Sequence, residues 1–237
     1  MKILITNDDG WDAIGLDILY RVAGEFGQVT AIAPERPSSG ISHQLTLHRP
    51  MALIERERNR YSLDGTPADC VRVALAAEEF EFDVVLSGVN DGGNLGADLF
   101  LSGTVAGARE ANFHDLPAMS ISQYRKRYND AFDWTQTETM LRRVLRKWFS
   151  GDELPASCLI NVNLPDPVEG VELGEISIVE CPVDTNSFPA QYSRDENRFS
   201  YAGRYSQREI SAGSDMDVCF GGKISWSRTS RNLNVHC

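Results

Sequence analysis

Two adjacent aspartates, Asp8 and Asp9, follow directly on a short apolar run, Ile3-Leu4-Ile5-Thr6-Asn7-Asp8-Asp9-Gly10. Two carboxylates side by side repel each other and resist burial, so the ionised pair belongs in water unless a cation or donor group offsets the cost. In an α/β protein, ligands bind beyond the carboxyl ends of the parallel strands, and an acidic pair there suggests a hard divalent cation held by oxygen ligands. Two further oxygen-rich stretches each follow an expected strand: Ser38-Ser39-Gly40-Ile41-Ser42, and Ser87-Gly88-Val89-Asn90 running on through Asp91-Gly92-Gly93-Asn94-Leu95-Gly96. Loops that leave a parallel sheet at one edge converge however far apart they lie in sequence. Carboxylate, hydroxyl and amide oxygens suit Mg²⁺, Mn²⁺ or Ca²⁺ better than soft metals. Taken singly, each stretch has an ordinary reading: a capped turn at Asp8-Asp9, a plain loop at Ser38-Ser39-Gly40, and an Asn90 that stabilises its own turn.

Ser102-Gly103-Thr104 leads into an expected helix. Small residues let backbone N–H groups approach an anion, hydroxyls add donors, and the helix dipole favours negative charge. Alone this is an ordinary capped helix. Beside a metal site it reads as a phosphate cradle, and a metal with a phosphate cradle implies phosphoryl transfer to water. No G-x-x-x-x-G-K-[ST], G-x-G-x-x-G or G-x-S-x-G motif is present. His43 and His48 lie near the serine loop, and a structural role outweighs a general-base role for each.

The elements that must position these groups are legible in the periodicity. Residues 2–6 read as a buried strand, and Ile14, Leu16, Ile18, Leu19, Val22 and Phe26 recur at helical spacing until Gly27. Strands are expected at 29–33, 83–87, 118–122 and 158–164, with short ones at 46–47, 51–54 and 61–63. Residues 35–44 and 88–102 read as loops. Helices are expected from Thr66-Pro67 to about residue 77, at 103–112 and at 132–149; Thr66 can cap, Pro67 suits the first helical position, and Asp69 favours the positive end. Strands alternating with helices over 1–164 imply an α/β fold with a mostly parallel sheet. Past residue 165 the texture changes. Residues 182–209 are polar with Tyr192, Phe199, Tyr201 and Tyr205 interspersed, which reads as an extended arm or hairpin, either anchoring on another subunit or folded back on its own domain. One domain is expected, with its core in 1–165 and an arm and closing segment in 166–237.

The 237 residues are 42% hydrophobic, enough for one large core, and carry a formal net charge of −11. Such an acidic chain does not wrap a nucleic-acid polymer, although a bound metal can reverse the local field for a small phosphate ester. Five scattered cysteines without a C-x-x-C argue for reduced thiols in a cytosol and against a zinc site or a disulfide framework. Neither a secretory leader nor an apolar run long enough for a membrane span is apparent, so a cytoplasmic protein is expected.

Together the blocks Ile3–Gly10, Ala33-Pro34, Ser39-Gly40, Gly65-Thr66-Pro67-Ala68-Asp69-Cys70-Val71, Ser87-Gly88-Val89-Asn90, Asn94-Leu95-Gly96 and Ser102-Gly103-Thr104-Val105 resemble the SurE family of metal-dependent nucleotidases, in order and spacing, over about residues 1–122. The resemblance implies a Rossmann-like three-layer core whose C-terminal arm is exchanged between subunits of a homodimer or homotetramer. It implies hydrolysis of nucleoside 5′- and 3′-monophosphates with one Mg²⁺ or Mn²⁺ per subunit, and in some members the trimming of short polyphosphate. The family's metal ligands fall on Asp8, Asp9, Ser39 and Asn90, and its phosphate contacts on Asn94, Ser102, Gly103 and Thr104. Asp8 and Asp9 are the candidates for catalysis, by orienting the attacking water. Two departures stand out: Ser38 where the family usually has Arg, leaving Arg36 as the nearby cation, and Ile224-Ser225-Trp226-Ser227-Arg228 where the family has an apolar strand and Thr-Pro-Leu. Two other readings stay open: a non-catalytic nucleotide-binding protein on the same fold, and a broad-specificity acid phosphatase or exopolyphosphatase.

Overall fold

The computed structural model describes residues 1–126, 132–151, 154–166, 172–203 and 208–230. Tyr205, named above, and Cys237, one of the five cysteines, lie outside them. The architecture is a mixed sheet of nine described strands: β1 (Lys2–Thr6), β2 (Gln28–Pro34), β3 (Leu53–Glu57), β4 (Arg60–Leu63), β5 (Val84–Asp91), β6 (Ala118–Gln123), β7 (Cys158–Leu164), β8 (Ile178–Glu180) and β11 (Ile224–Ser230), in the order β3-β4-β2-β1-β5-β6-β7-β11-β8. The run β4-β2-β1-β5-β6-β7 is wholly parallel. Only β3 against β4 and β11 against β7 run antiparallel. The strand order reverses at β1, which pairs β2 on one side and β5 on the other, and such a reversal opens a crevice at the carboxyl ends of those strands.

Strand pleating sends alternate side chains to opposite faces. Ile3 and Ile5 join Leu16, Leu19 and Val22 of α1 (Ile14–Ala23) and Leu141, Val144 and Leu145 of α4 (Trp134–Phe149) in one core. Leu4 faces the other way, into Cys70, Val71 and Ala74 of α2 (Pro67–Ala76) and Val105, Ala108 and Ala111 of α3 (Gly103–Phe113). The α2 start is the expected one: Thr66 and Asp69 satisfy each other's backbone N–H groups in a capping box, with Pro67 as the first helical residue.

Four expectations change. β5 does not stop at Ser87 but runs to Asp91, with an irregularity between Ser87 and Asn90, so Asn90 sits on the strand rather than in a loop. Residues 46–47 form no strand; the Thr46 N–H is taken instead by the Asp69 carboxylate at 3.0 Å. The closing segment is part of the sheet, because β11 slots between β7 and β8. Cys158 is disulfide-bonded, against the expectation of reduced thiols, while Cys70, Cys181 and Cys219 are free and buried. Scattered spacing carries no sign of such a bond, since pairing depends on which elements the fold brings side by side.

The arm is present as a separate two-stranded hairpin, β9 (Tyr192–Asp195) with β10 (Arg198–Tyr201), turning at Glu196. Its roots return to the core at Asp184 and at α5 (Asp215–Phe220). The Asp184 N–H donates to Asp215 Oδ1 at 2.8 Å, and Asp184 in turn accepts from the Ser211 N–H and the Ser214 hydroxyl. Among the described residues no helix is long and apolar enough to cross a membrane.

Candidate active site

The turn after β1 is built by Asn7, whose side-chain oxygen accepts from the Gly10 N–H at 3.2 Å and whose nitrogen donates to the Gly10 carbonyl at 2.9 Å. That closed turn sets Asp8 and Asp9 at the β1–β5 crevice. The Ser38 N–H donates to the Asp8 carbonyl at 2.8 Å, drawing the loop after β2 alongside. β5 delivers Asn90, and the start of α3 arrives from the other side of β1's end. A cavity of about 210 Å³ results, lined by Asp8, Asp9, Ser39, Asn90, Asn94 and Ser102, among others. All four expected metal ligands and two of the four expected phosphate contacts therefore share one cavity.

The hydrogen bonds determine which atoms each side chain has left to offer. The Thr104 hydroxyl donates to Asp8 Oδ1, leaving Oδ2. Asp9 Oδ2 accepts the Asp91 N–H at 3.0 Å, leaving Oδ1. Asn90 Nδ2 donates to the Gly92 carbonyl at 2.7 Å, so the oxygen of that amide is the atom left for a ligand. Among the described residues no three His, Cys, Asp or Glu side chains come together as a metal cluster. The companions of the two carboxylates are instead a hydroxyl and an amide oxygen. That all-oxygen set fits a hard cation such as Mg²⁺ or Mn²⁺ and not a soft one.

The phosphate side shows similar economy. Ser102 caps α3 by accepting the Val105 N–H at 3.0 Å, which keeps its own O–H available as a donor. Asn94 Nδ2 donates to Ser122 Oγ at 2.8 Å and has a second hydrogen to give. Its backbone is held by β7, the carbonyl accepting from Asn161 and Asn163 and the N–H donating to Asn163 Oδ1. Gly103 sits so close to Asp8 that a Cβ would lie 2.9 Å from the Asp8 Cβ. Thr104 departs from the expectation: it is fully buried and its hydroxyl is committed to Asp8, so it orients a carboxylate rather than facing an anion.

The charge balance holds a second departure. Arg36 is exposed and is not among the described lining residues, so it does not stand in for the arginine that Ser38 lacks. Two other acidic residues, Asp91 and Asp98, also line the cavity. Each is backed by an arginine: Arg125 at 2.9 Å from both Asp91 oxygens, and Arg208 at 2.8 and 2.9 Å from those of Asp98. Residue types alone did not single out these pairs, because nothing local links partners 34 and 110 positions apart. His43 contacts Glu110 and His48 lines a different open groove, so neither histidine lines this cavity.

Burial pushes the Asp8 carboxyl up to about 6; the Thr104 hydroxyl bond counters this in part, and the charge of Asp9 adds to it. Burial raises Asp9 as well. A cation must displace the Asp8 proton below that pH, so binding weakens as pH falls through about 6. Calorimetric titration with Mn²⁺ is expected to give an affinity about tenfold lower at pH 5 than at pH 7; equal affinities would show that Asp8 is not a ligand. Gly103→Ala, by displacing Asp8, is expected to weaken Mn²⁺ binding about tenfold at pH 7 with the fold retained, measured by the same titration and by circular dichroism.

A protein-family model described as Survival protein SurE matches residues 3–182. The chain is 41% identical over 225 residues to a putative 5′-nucleotidase of Nostoc sp. (strain PCC 7120), covering 95% of this chain and 97% of the relative. It is 38% identical to the 5′-nucleotidase SurE of Neisseria gonorrhoeae, with 100% and 95% of the two chains covered. Among solved structures, the SurE protein from Aquifex aeolicus superposes with a TM-score of 0.85 at 26% identity, over 99% of this chain and 95% of that one. The family match, over residues 3–182, runs through the acidic turn, the Asn90 strand and the α3 start, and the chain belongs to the SurE family.

Proposed function

We propose that the chain is a metal-dependent phosphomonoesterase that hydrolyses nucleoside 5′-monophosphates, and 3′-monophosphates, to nucleoside and phosphate. One observation carries this reading: the unengaged oxygens of Asp8, Asp9 and Asn90, with Ser39, share a cavity with the capped start of α3. The 5′-nucleotidase names of its relatives support the reaction class. Asp8, Asp9, Ser39 and Asn90 are the residues that hold one Mg²⁺ or Mn²⁺ per subunit. That ion, when bound, supplies Lewis-acid charge at the phosphoryl group.

The chain's own groups do the positioning. The Ser102 hydroxyl, the second Asn94 amide hydrogen and the Gly103 N–H at the helix start receive the phosphate and stabilise its charge. Thr104 fixes one Asp8 oxygen and the Asp91 N–H fixes one Asp9 oxygen, so each carboxylate has a single free edge. An Asp9 oxygen accepting from water orients it toward phosphorus. The acidic surface, at net −11, suits a small ester rather than a nucleic-acid polymer. A cytoplasmic location rests on the small phosphorylated substrate, and the disulfide at Cys158 runs against it, being unusual in a reducing cytosol. Phosphate release from AMP with Mn²⁺ is expected to fall at least about a hundredfold in Asp8→Asn and in Asp9→Asn. Wild-type rates in both would remove the assignment, and AMP binding by the wild type without phosphate release would leave a non-catalytic binding protein.

The exposed hairpin supports assembly by arm exchange. Tyr192, Phe199 and Tyr201 are 58%, 63% and 53% exposed, a concentration of aromatic surface that a lone subunit leaves in water. Sedimentation is expected to give a dimer or tetramer that shifts toward monomer in the double variant Tyr192→Ser, Phe199→Ser.

A further inference from the structure

Glu110 lies two turns into α3 and its side chain is only 3% exposed. Three partners from three places meet on it: His43 Nε2 at 2.7 Å, Arg72 of α2 at 2.7 Å and His114, just past the end of α3, at 3.1 Å. Burial pushes the Glu110 carboxyl up, but the hydrogen bonds from His43, Arg72 and His114 outweigh it and hold the group at about 2. Glu110 is therefore a carboxylate anchored inside the protein at any working pH.

His43 is the partner that matters for the site, because it is four residues beyond Ser39. The intervening chain is a tight double turn, with Gly40 and Ser42 both at positive φ, 72° and 58°. Three further contacts press this turn onto the start of α3. The Ser42 N–H donates to the Leu101 carbonyl at 2.9 Å, and its hydroxyl to the Phe100 carbonyl at 2.6 Å, directly before Ser102. Ile41 packs 3.2 Å from where a Gly103 Cβ would stand. The His43 ring itself lies stacked on Phe113 at 5.7 Å, near the far end of the helix. The loop after β2 thus runs along the first turns of α3 and is fastened at both ends.

We propose that His43 and Glu110 are positioning residues: their contact fixes the Ser39 loop against α3 and so sets the spacing between the metal ligand Ser39 and the phosphate-receiving groups at Ser102 and Gly103. The inference rests on the function proposed above. Neither residue touches the cavity, so both act through the backbone of residues 39–43. Arg72 and His114 bind the same carboxylate but do not reach the loop, which makes them the discriminating controls.

The test compares His43→Ala, His43→Gln and His114→Ala by Mn²⁺ titration and by hydrogen exchange of residues 38–46 in the metal-free protein. His43 is on a half-buried loop, so its truncation does not break a core. His43→Ala is expected to weaken Mn²⁺ binding about tenfold and to speed exchange of the 38–46 amides by a similar factor. His43→Gln, which keeps a donor for Glu110, is expected to recover most of both. His114→Ala is expected to stay within about twofold of wild type in each. Should His43→Ala exchange like wild type, or His114→Ala loosen the loop equally, the positioning role is overturned. A wild type that binds no Mn²⁺ would instead overturn the proposed function, while the exchange comparison would still report on the clamp.

Discussion

Asp8 is 4% exposed, and its charge is the constraint around which the site is arranged. An ionised carboxylate out of water is costly unless donors or a cation meet it. The fold supplies only part of that compensation: the Thr104 hydroxyl on one of its oxygens, with help from the backbone of Asp8 and Thr104, does not offset the burial. The other side is left to whatever enters the cavity. Gly103 has no side chain because the Asp8 carboxylate occupies the space where one would go. The first turn of α3, the acidic turn and the proposed cation thus depend on a single close approach. In metal proteins generally, the groups behind the ligands matter nearly as much as the ligands.

The surrounding charges follow the same logic. Four aspartates line one small cavity, which repulsion alone would make untenable. Two are neutralised from behind, Asp91 by Arg125 and Asp98 by Arg208. Arg125 rests over the Phe132 ring at 5.0 Å and Arg208 over Phe188 at 4.2 Å, so both guanidinium groups are fixed by stacking as well as by their carboxylates. Asp8 and Asp9 have no arginine behind them among the described contacts. The inventory separates two acids that belong to the scaffold from two left for a cation. Arg208 belongs to the segment that returns from the hairpin, so the arm's root reaches the cavity rim through Asp98.

Much of this was legible in the residues. Apolar periodicity located the strands and helices of the core, since each must bury one face, and the capping box at Thr66 and Asp69 is a local signature that the fold honours. The stretches around Asp8-Asp9, Ser39 and Asn90 were legible as oxygen-rich turns after strands, each ordinary when taken singly; the resemblance to the SurE family singled out those four residues, and the fold brings them to one cavity. What was not legible depends on partners distant in sequence. Asn90 reads as a loop residue until β6 is seen to pair with it through Ser122. Thr104 looks like an anion donor until Asp8 takes its hydrogen. Polar residues at Asn161 and Asn163 interrupt a buried strand for no local reason, and the reason is the Asn94 backbone. The segment after 165 reads as an arm because residues 182–209 are polar with aromatics interspersed, yet β8 and β11, on either side of that stretch, complete the sheet.

The place of β1 between β2 and β5 also has a consequence in time. Its residue Ile3 pairs with Val29 on one side and with Val84 on the other. A ribosome delivers the first partner early and the second only after some fifty more residues, and α3 later still. Until then the acidic turn has no Asn90 and no Thr104, and β1 presents an unpaired edge. Long-range pairing of this kind is slow and leaves strand edges open to other chains. The first strand therefore has only one of its two edges paired until the middle of the protein has emerged, and the site is completed late.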